Sequence, residues 1–489
     1  MLSESRTMTS NAITRRDFCH AGAFSLTPLA LAALLKQDRA WSAPVKPNIH
    51  GQEVSLTARQ THQPSRARAM ISLFMQGGPS QVDLLDPKPT LSRMDGQDFP
   101  GKIKYDDVAG ASSKILGSPW KFSNYGQSGI EVSELLPHTA KIVDDLLVVR
   151  SMYTGVNNHG QSIHALNSGR IQRGRPALGS WLMYGLGSET QNLPAFVALT
   201  DPLGLPVEGV ANWSNGSLPS LFQGTVIRPR APRIFNLEPP EHLRGKLQEN
   251  YLNFLEQLNQ QQLEQYPDNS ELAARIKNYQ LAARMQTAAR EALDIGQETK
   301  STHELYGLHD KDTEEYGRRC LIARRLVERG VRFVQIFTRN QYWDHHSAIL
   351  SALPASCRKT DRGAAALVTD LKQRGLLDTT IVHWGGEMGR LPVIQNDAGR
   401  DKIGRDHNTY GFTMWLAGGG FRQGSTYGVT DEFGHHAVQD IVNHFDYHAT
   451  LLHLFGLDAE QLVFKRNGRE ESLLDGQPGK VITGLLEHG

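Results

Sequence analysis

An α/β fold on a mainly parallel, doubly wound sheet is what this sequence predicts, and three observations carry that expectation. Continuous apolar runs rich in β-branched and aromatic residues recur at 67–75, 146–151, 195–199 and 331–337, and twice more within 379–420. That is the pattern of strands buried on both faces. Helical periodicity fills several of the gaps, as at 360–374, where Leu367 and Leu371 share a face and Gly375 closes the segment. Strands alternating with helices favour a parallel sheet with helices packed on it. The third observation is chemical. Loops bearing carboxylates and imidazoles follow the strands, at the sheet edge where open α/β folds bind ligands.

Residues 1–42 are expected to be a leader and not part of the fold. Arg15 and Arg16 precede an apolar run at 21–35, and Ala40-Trp41-Ser42 offers the small residues a signal peptidase reads. The expectation is export by the twin-arginine route, to the periplasm or beyond, with the leader removed or kept as an anchor. No other apolar run is long enough to span a bilayer. Residues 43–65 are polar, with scattered prolines, and read as a linker. A single domain is expected over 66–489.

Within it, about 240–329 reads as a helical insertion, rich in Gln, Glu, Lys and Arg. Tyr251, Phe254, Leu255 and Leu258 share a helical face there. The heptads are not sustained, so packing on the parent domain is expected in preference to a coiled-coil or partner-binding arm. Lys+Arg 52 against Asp+Glu 51 gives no basic field for nucleic acid or an anionic membrane. Beyond the leader only Cys320 and Cys357 remain, which excludes a disulfide scaffold. Of 19 histidines, 12 follow residue 300, so metal or proton chemistry is sought towards the carboxyl terminus.

The first strand ends in Gln76-Gly77-Gly78-Pro79-Ser80, a turn that makes a plausible site wall. Trp343-Asp344-His345-His346 follows the strand at 331–337 and is either a ligand cluster for a divalent cation or an exposed polar turn. Glu387 stands in Gly-Gly-Glu-Met-Gly-Arg, where glycines admit a close neighbour; the alternative is a surface pair with Arg390. Asp406-His407 joins a carboxylate to an imidazole, or caps a turn. His448 falls in the first turn of a short helix with Asp446 as N-cap, and His453 one turn on reads as structural. Asn158-His159 opens another helix, whose free amides suit an anion or simple capping. No Walker loop, Rossmann fingerprint or Gly-x-Ser-x-Gly elbow is present, so nucleotide cofactors and lipase-type chemistry lack support.

Seven stretches in order resemble a known family: the twin-arginine leader, Gly77–Asp83 with Asp86-Pro87-Lys88-Pro89, Gly126 to His138, Trp343 to His346, Trp384 to Arg390, Gly404 to Asn408, and Asp446 to Thr450. The chain is similar, over nearly all of its length after the leader, to the sulfatase-like exported bacterial family known as domain of unknown function 1501. That family is grouped with the alkaline-phosphatase-like superfamily. The resemblance implies an α/β/α sandwich with a metal site at the carboxyl ends of the strands. It aligns Ser162, Leu166, Ser168 and Gly169 with the sulfatase helix and sets His159 at the nucleophile position. A histidine cannot become formylglycine, and Met388 stands where a metal-binding histidine is expected.

The function expected from residues and resemblance together is an exported, metal-dependent hydrolase of sulfate or phosphate esters on a small molecule or glycan. Asp344, His346, Glu387, Asp406, His407 and His448 would surround one or two divalent ions (Zn, Ca, Mg or Mn), with His159 or Ser80 as nucleophile or proton donor. The rivals are a catalytically degenerate binding protein for glycans or an envelope partner, and an envelope scaffold using the helical insertion.

Overall fold

Continuous burial of the apolar runs is what organises the molecule. The computed structural model describes residues 54–106, 111–266, 269–466 and 468–487, and the leader expected at 1–42 lies outside them. Among the described residues the central sheet has nine strands: β1 (Ala69–Phe74), β2 (Leu146–Tyr153), β3 (Phe196–Leu199), β4 (Thr225–Ile227), β5 (Phe333–Phe337), β6 (Thr380–Gly385), β7 (Phe412–Ala417), β8 (Ser425–Tyr427) and β9 (Val442–Asn443). Their order is β8-β2-β7-β6-β1-β5-β3-β4, with β9 also paired to β2. Only β7 runs against its neighbours, β2 and β6; the other pairings in this sheet are parallel.

The longer helices are α1 (His159–Ser168), α2 (Leu178–Leu186), α3 (Lys246–Gln265), α4 (Ser270–Leu293), α5 (Glu314–Glu328), α6 (Ile349–Gln373) and α7 (His444–Leu454). Every residue of β1, β3, β5, β6 and β7 is buried, because both faces of the sheet are covered. One face carries the polar positions: Ser72 of β1 meets His383 of β6 at 3.0 Å, and Gln335 of β5 donates to Asn167 of α1 at 2.9 Å. By the alternation of a strand, Ile71, Leu73, Val334 and Ile336 point to the other face. There α5 and α6 pack on each other and on the strands. Each such fully buried aliphatic contributes about 1.5–3 kcal/mol. The result is an α/β/α sandwich.

Three expectations are revised in detail. Helix α6 starts at Ile349, well before 360, and carries Pro354 inside it. Residues 54–65 do not trail as a linker: Arg59 N donates to Leu186 O, His62 N to Gly456 O, and Gln63 Nε2 lies 2.6 Å from His453 Nδ1. In the insertion, α4 packs on the domain through Ala274, Ile276, Leu281, Met285 and Ala289, whereas α3 buries none of its residues. Among the described residues no helix is long and apolar enough to cross a membrane.

Candidate active site

The ends of β1, β5 and β6 bring three loops into contact, and glycine makes the contact possible. Gly77 follows β1 at φ +109°, and a Cβ there would lie 2.5 Å from the backbone nitrogen of Asp344. Gly78, at φ +85°, is equally close to the backbone of Met388, where a Cβ would stand 2.7 Å from the carbonyl oxygen. Side chains at these two positions would push the loops after β5 and β6 away from the sheet edge. A fourth segment arrives through a small ladder in which Gly389 and Arg390 pair with Asn408 and His407. The amino end of α1, capped by the Asn158 side chain on Gln161 N, supplies His159.

Three imidazoles and a carboxylate converge here: the ligand atoms of His159, Asp344, His346 and His407 all lie within 4.8 Å of one another. Each imidazole presents its Nδ1 to an oxygen acceptor. His159 Nδ1 lies 2.7 Å from Glu387 Oε1, and His346 Nδ1 lies 2.6 Å from Gln395 Oε1. His407 Nδ1 lies 3.0 Å from Asn157 O and 2.9 Å from Asp106 Oδ2. An Nδ1 facing an acceptor carries a proton, which leaves each Nε2 as the inward-facing ligand atom once any second proton is lost. Inside the cluster, His346 Nε2 and His407 Nε2 are 3.0 Å apart, and Asp344 Oδ1 is 2.9 and 3.2 Å from them. Asp344 Oδ2 is 3.2 Å from His159 Nε2.

Arg390 pins the carboxylate from behind. Its Nη2 is 2.6 Å from Asp344 Oδ1, and the fully buried guanidinium also donates to the carbonyls of Gly77, Gly78 and Arg405. Burial works against the charge of Asp344, but Arg390 and the three imidazoles outweigh it and hold the carboxyl far below its ordinary range. His159 shows the converse balance. Burial pulls its pKa down, yet Asp344 and Glu387 raise it to about 9. His346 is also raised, with Asp344 overcoming burial.

Glu387 is fully buried. Its Oε1 accepts from Gly77 N at 2.9 Å as well as from His159, while Oε2 is buried without a partner. Asp406 accepts from His407 N and Asp106 N, both at 2.8 Å, and Asp106, Asp406 and His407 form a second group of potential ligands.

The expected residues are thus distributed unevenly. Asp344, His346 and His407 stand in one cluster with His159, Glu387 touches it through His159, and Asp406 adjoins it through His407. His448 does not join either group: it is buried in α7 with Nε2 2.8 Å from Leu166 O. The buried Ser80 hydroxyl donates to Asp83 Oδ2 at 2.6 Å, and Asp83 in turn holds Arg405 at 2.8 Å. Cys320 and Cys357 are free, buried thiols. Asp106, Asn157, Gln395 and Arg390 complete the site. Of these, Arg390 sits in a stretch whose composition marks it and Asn157 opens the stretch that holds Asn158-His159, and the partner of Arg390 is Asp344, not Glu387.

The donors suit a divalent cation. Inward Nε2 atoms on three imidazoles beside a carboxylate, with each Nδ1 held by an acceptor, form a nitrogen-rich set of the kind that, on loss of a proton, binds zinc and similar transition ions. Hard ions such as calcium and magnesium prefer oxygen throughout.

The family model described as "Protein of unknown function (DUF1501)" matches residues 67–486. No curated protein matches the sequence. Solved structures similar to this one include the PsFucS1 sulfatase from Pseudoalteromonas sp., at 13% identity, covering 81% of this chain and 69% of that one, with a TM-score of 0.34. A protein in the alkaline phosphatase superfamily from Vibrio parahaemolyticus has 11% identity, covers 84% and 73%, and has a TM-score of 0.33. The lipoteichoic acid synthase LtaP from Listeria monocytogenes has 8% identity, covers 85% and 76%, and has a TM-score of 0.35.

Proposed function

This chain belongs to the DUF1501 family of proteins of unknown function, and we propose that it is an exported, metal-dependent hydrolase of sulfate or phosphate esters. One observation carries the reading: three Nε2 atoms and the Asp344 carboxylate converge within 4.8 Å of one another, each ring held from behind at its Nδ1. His159, Asp344, His346 and His407 would hold the cation, and a bound divalent ion would supply Lewis acidity towards an ester oxygen and towards water.

The chain's own groups complete the chemistry. Gln395, Asp106 and Glu387 fix the tautomers of His346, His407 and His159. Arg390 neutralises part of the charge on Asp344 and fixes its orientation. The amino end of α1 turns the positive end of its dipole towards the cluster, which favours an anionic ester. Glu387 Oε2 is a buried oxygen left open to accept a proton or a further ligand contact.

His159 acts here as a ligand and not as a nucleophile, because both ring nitrogens face carboxylate oxygens. The neighbouring hydroxyls are engaged too, Ser162 with Glu387 O and Ser80 with Asp83. Attack by water is therefore favoured over a covalent enzyme intermediate. The same observation also supports a second reading, a binding protein that holds a sulfated or phosphorylated glycan without turnover.

Turnover separates the two. The mature protein loaded with zinc, manganese or cobalt should hydrolyse an aryl sulfate or aryl phosphate, and His407→Ala should abolish the reaction. Inactivity across a panel of sulfate, phosphate and phosphodiester substrates, with glycan binding retained, would decide for the binding protein.

A further inference from the structure

One cavity lies away from the chemistry, on the helical insertion. An open groove of about 830 Å³ runs between α3 and α4, walled by Leu252 and Leu255 on one side and by Tyr279, Ala282 and Ala283 on the other. Along α3 beside it, Leu247, Tyr251, Phe254 and Leu258 remain 54%, 53%, 56% and 45% exposed. Their spacing of four, three and four residues sets them within an arc of about 60° on the helix, the seam of a short heptad pattern. Tyr279 on α4 is 65% exposed. A stripe of large apolar side chains beside an apolar groove is an unfinished surface.

Charge identifies the occupant. Helix α3 carries Lys246 against Glu249, Glu256 and Glu264, a net −2, while α4 carries Arg275, Lys277, Arg284 and Arg290 against Glu271 and Glu291, a net +2. A helix that lies in a membrane interface needs lysine and arginine along its polar face, and α3 offers only Lys246 at its first position against three glutamates. An α3 from a second copy placed along α4 meets opposite charge, and the two-fold partner contact is formed at the same time. Stripe and groove sit on one arm, so a single two-fold axis satisfies both copies in a closed interface.

We propose that the α3–α4 arm is the dimerisation surface of this protein, with the Leu247–Leu258 stripe of each copy seated in the groove of the other. The affinity then comes from Tyr251, Phe254 and Leu258 leaving water, and the pairing direction from the opposite charges of the two helices.

Sedimentation velocity on the mature chain over a micromolar concentration series tests this. Wild type should dimerise, and Phe254→Asp with Leu258→Asp should weaken association at least about tenfold while leaving helix content unchanged, since both side chains are exposed. Glu249→Lys with Glu256→Lys should also weaken it, and adding Arg275→Glu with Arg284→Glu should restore it. A wild type that is monomeric throughout, a Phe254→Asp/Leu258→Asp variant that still dimerises, or an arm that instead binds anionic vesicles would each overturn the proposal.

Discussion

His346 Nε2 and His407 Nε2 stand 3.0 Å apart, each on a ring whose Nδ1 faces an oxygen acceptor. Two lone pairs at that distance repel unless a proton or a cation lies between them. Gln395 enforces the arrangement on one side through its 2.6 Å contact with His346 Nδ1. Replacing Gln395 with Leu removes no ligand but frees the His346 ring to turn. Metal affinity should fall about 10–100-fold, as measured by competition with a chelating dye. Unchanged affinity would mean that His346 is not oriented from outside the cluster.

Glu387→Gln separates structure from chemistry. The amide oxygen can still accept from Gly77 N and His159, so the melting temperature should move by only a few degrees. The second oxygen, buried without a partner, becomes an NH2 group. Loss of that oxygen should lower kcat by about a hundredfold or more. A variant with full activity would remove Glu387 from the proposed chemistry.

Arg390→Met leaves three carbonyls and the Asp344 carboxylate without their buried partner. Breaking such a pair costs about 3–5 kcal/mol. Urea denaturation should show a loss of that size, and a loss below about 1 kcal/mol would show that the loops hold together without the guanidinium.

How much of this was legible in the sequence depends on the kind of interaction. Buried parallel strands announce themselves as continuous apolar runs, so β1, β2, β3, β5, β6 and β7 were expected close to where they are found. Such a run does not encode direction, and the reversal of β7 follows only from its pairing with β2 and β6. Strands as short as Val442–Asn443 carry no pattern at all. Asp344, His346 and His407 stood out because each follows a strand or a glycine turn. Asp106 did not, since it lies in a polar loop that only tertiary contact brings to His407. His448 misled because its helix starts earlier than expected, at His444 with Asn443 and not Asp446 as N-cap, which sets the ring past the first turn and against Leu166 O. The apolar face of α3 was expected to pack inward, yet it stays exposed beside a groove.

The interior around His448 has its own pH dependence. Burial pushes His383 down to about 3, helped by His448; it pushes His444 to about 3, with His448 and Arg170 adding to it; and it pushes His448 to about 4 against the carbonyls of Leu166 and His444. All three lie below the unfolded value of 6.5. The unfolded chain therefore binds more protons below that pH, and stability is lost as pH falls from about 6.5 towards 4. At about 1.4 kcal/mol per unit, His383 alone accounts for about 2–3 kcal/mol between pH 6.5 and 4.5. His383→Gln, which keeps a contact to Ser72 but does not titrate, should flatten the stability profile in that window. An identical slope in the variant would locate the effect elsewhere.

The proposed export rests on the leader expected at 1–42, which lies outside the described residues, so its test is cellular. Arg15→Lys with Arg16→Lys should leave precursor in the cytoplasm. Processing equal to wild type by the same route would rule out twin-arginine recognition.

Metal analysis of the purified mature protein tests the central claim most directly. After purification in the presence of zinc, manganese and cobalt and extensive dialysis, about one equivalent or more of a divalent ion should remain on wild type, and little on Asp344→Ala with His407→Ala. Wild type free of metal, or a double variant that retains as much as wild type, would contradict the account.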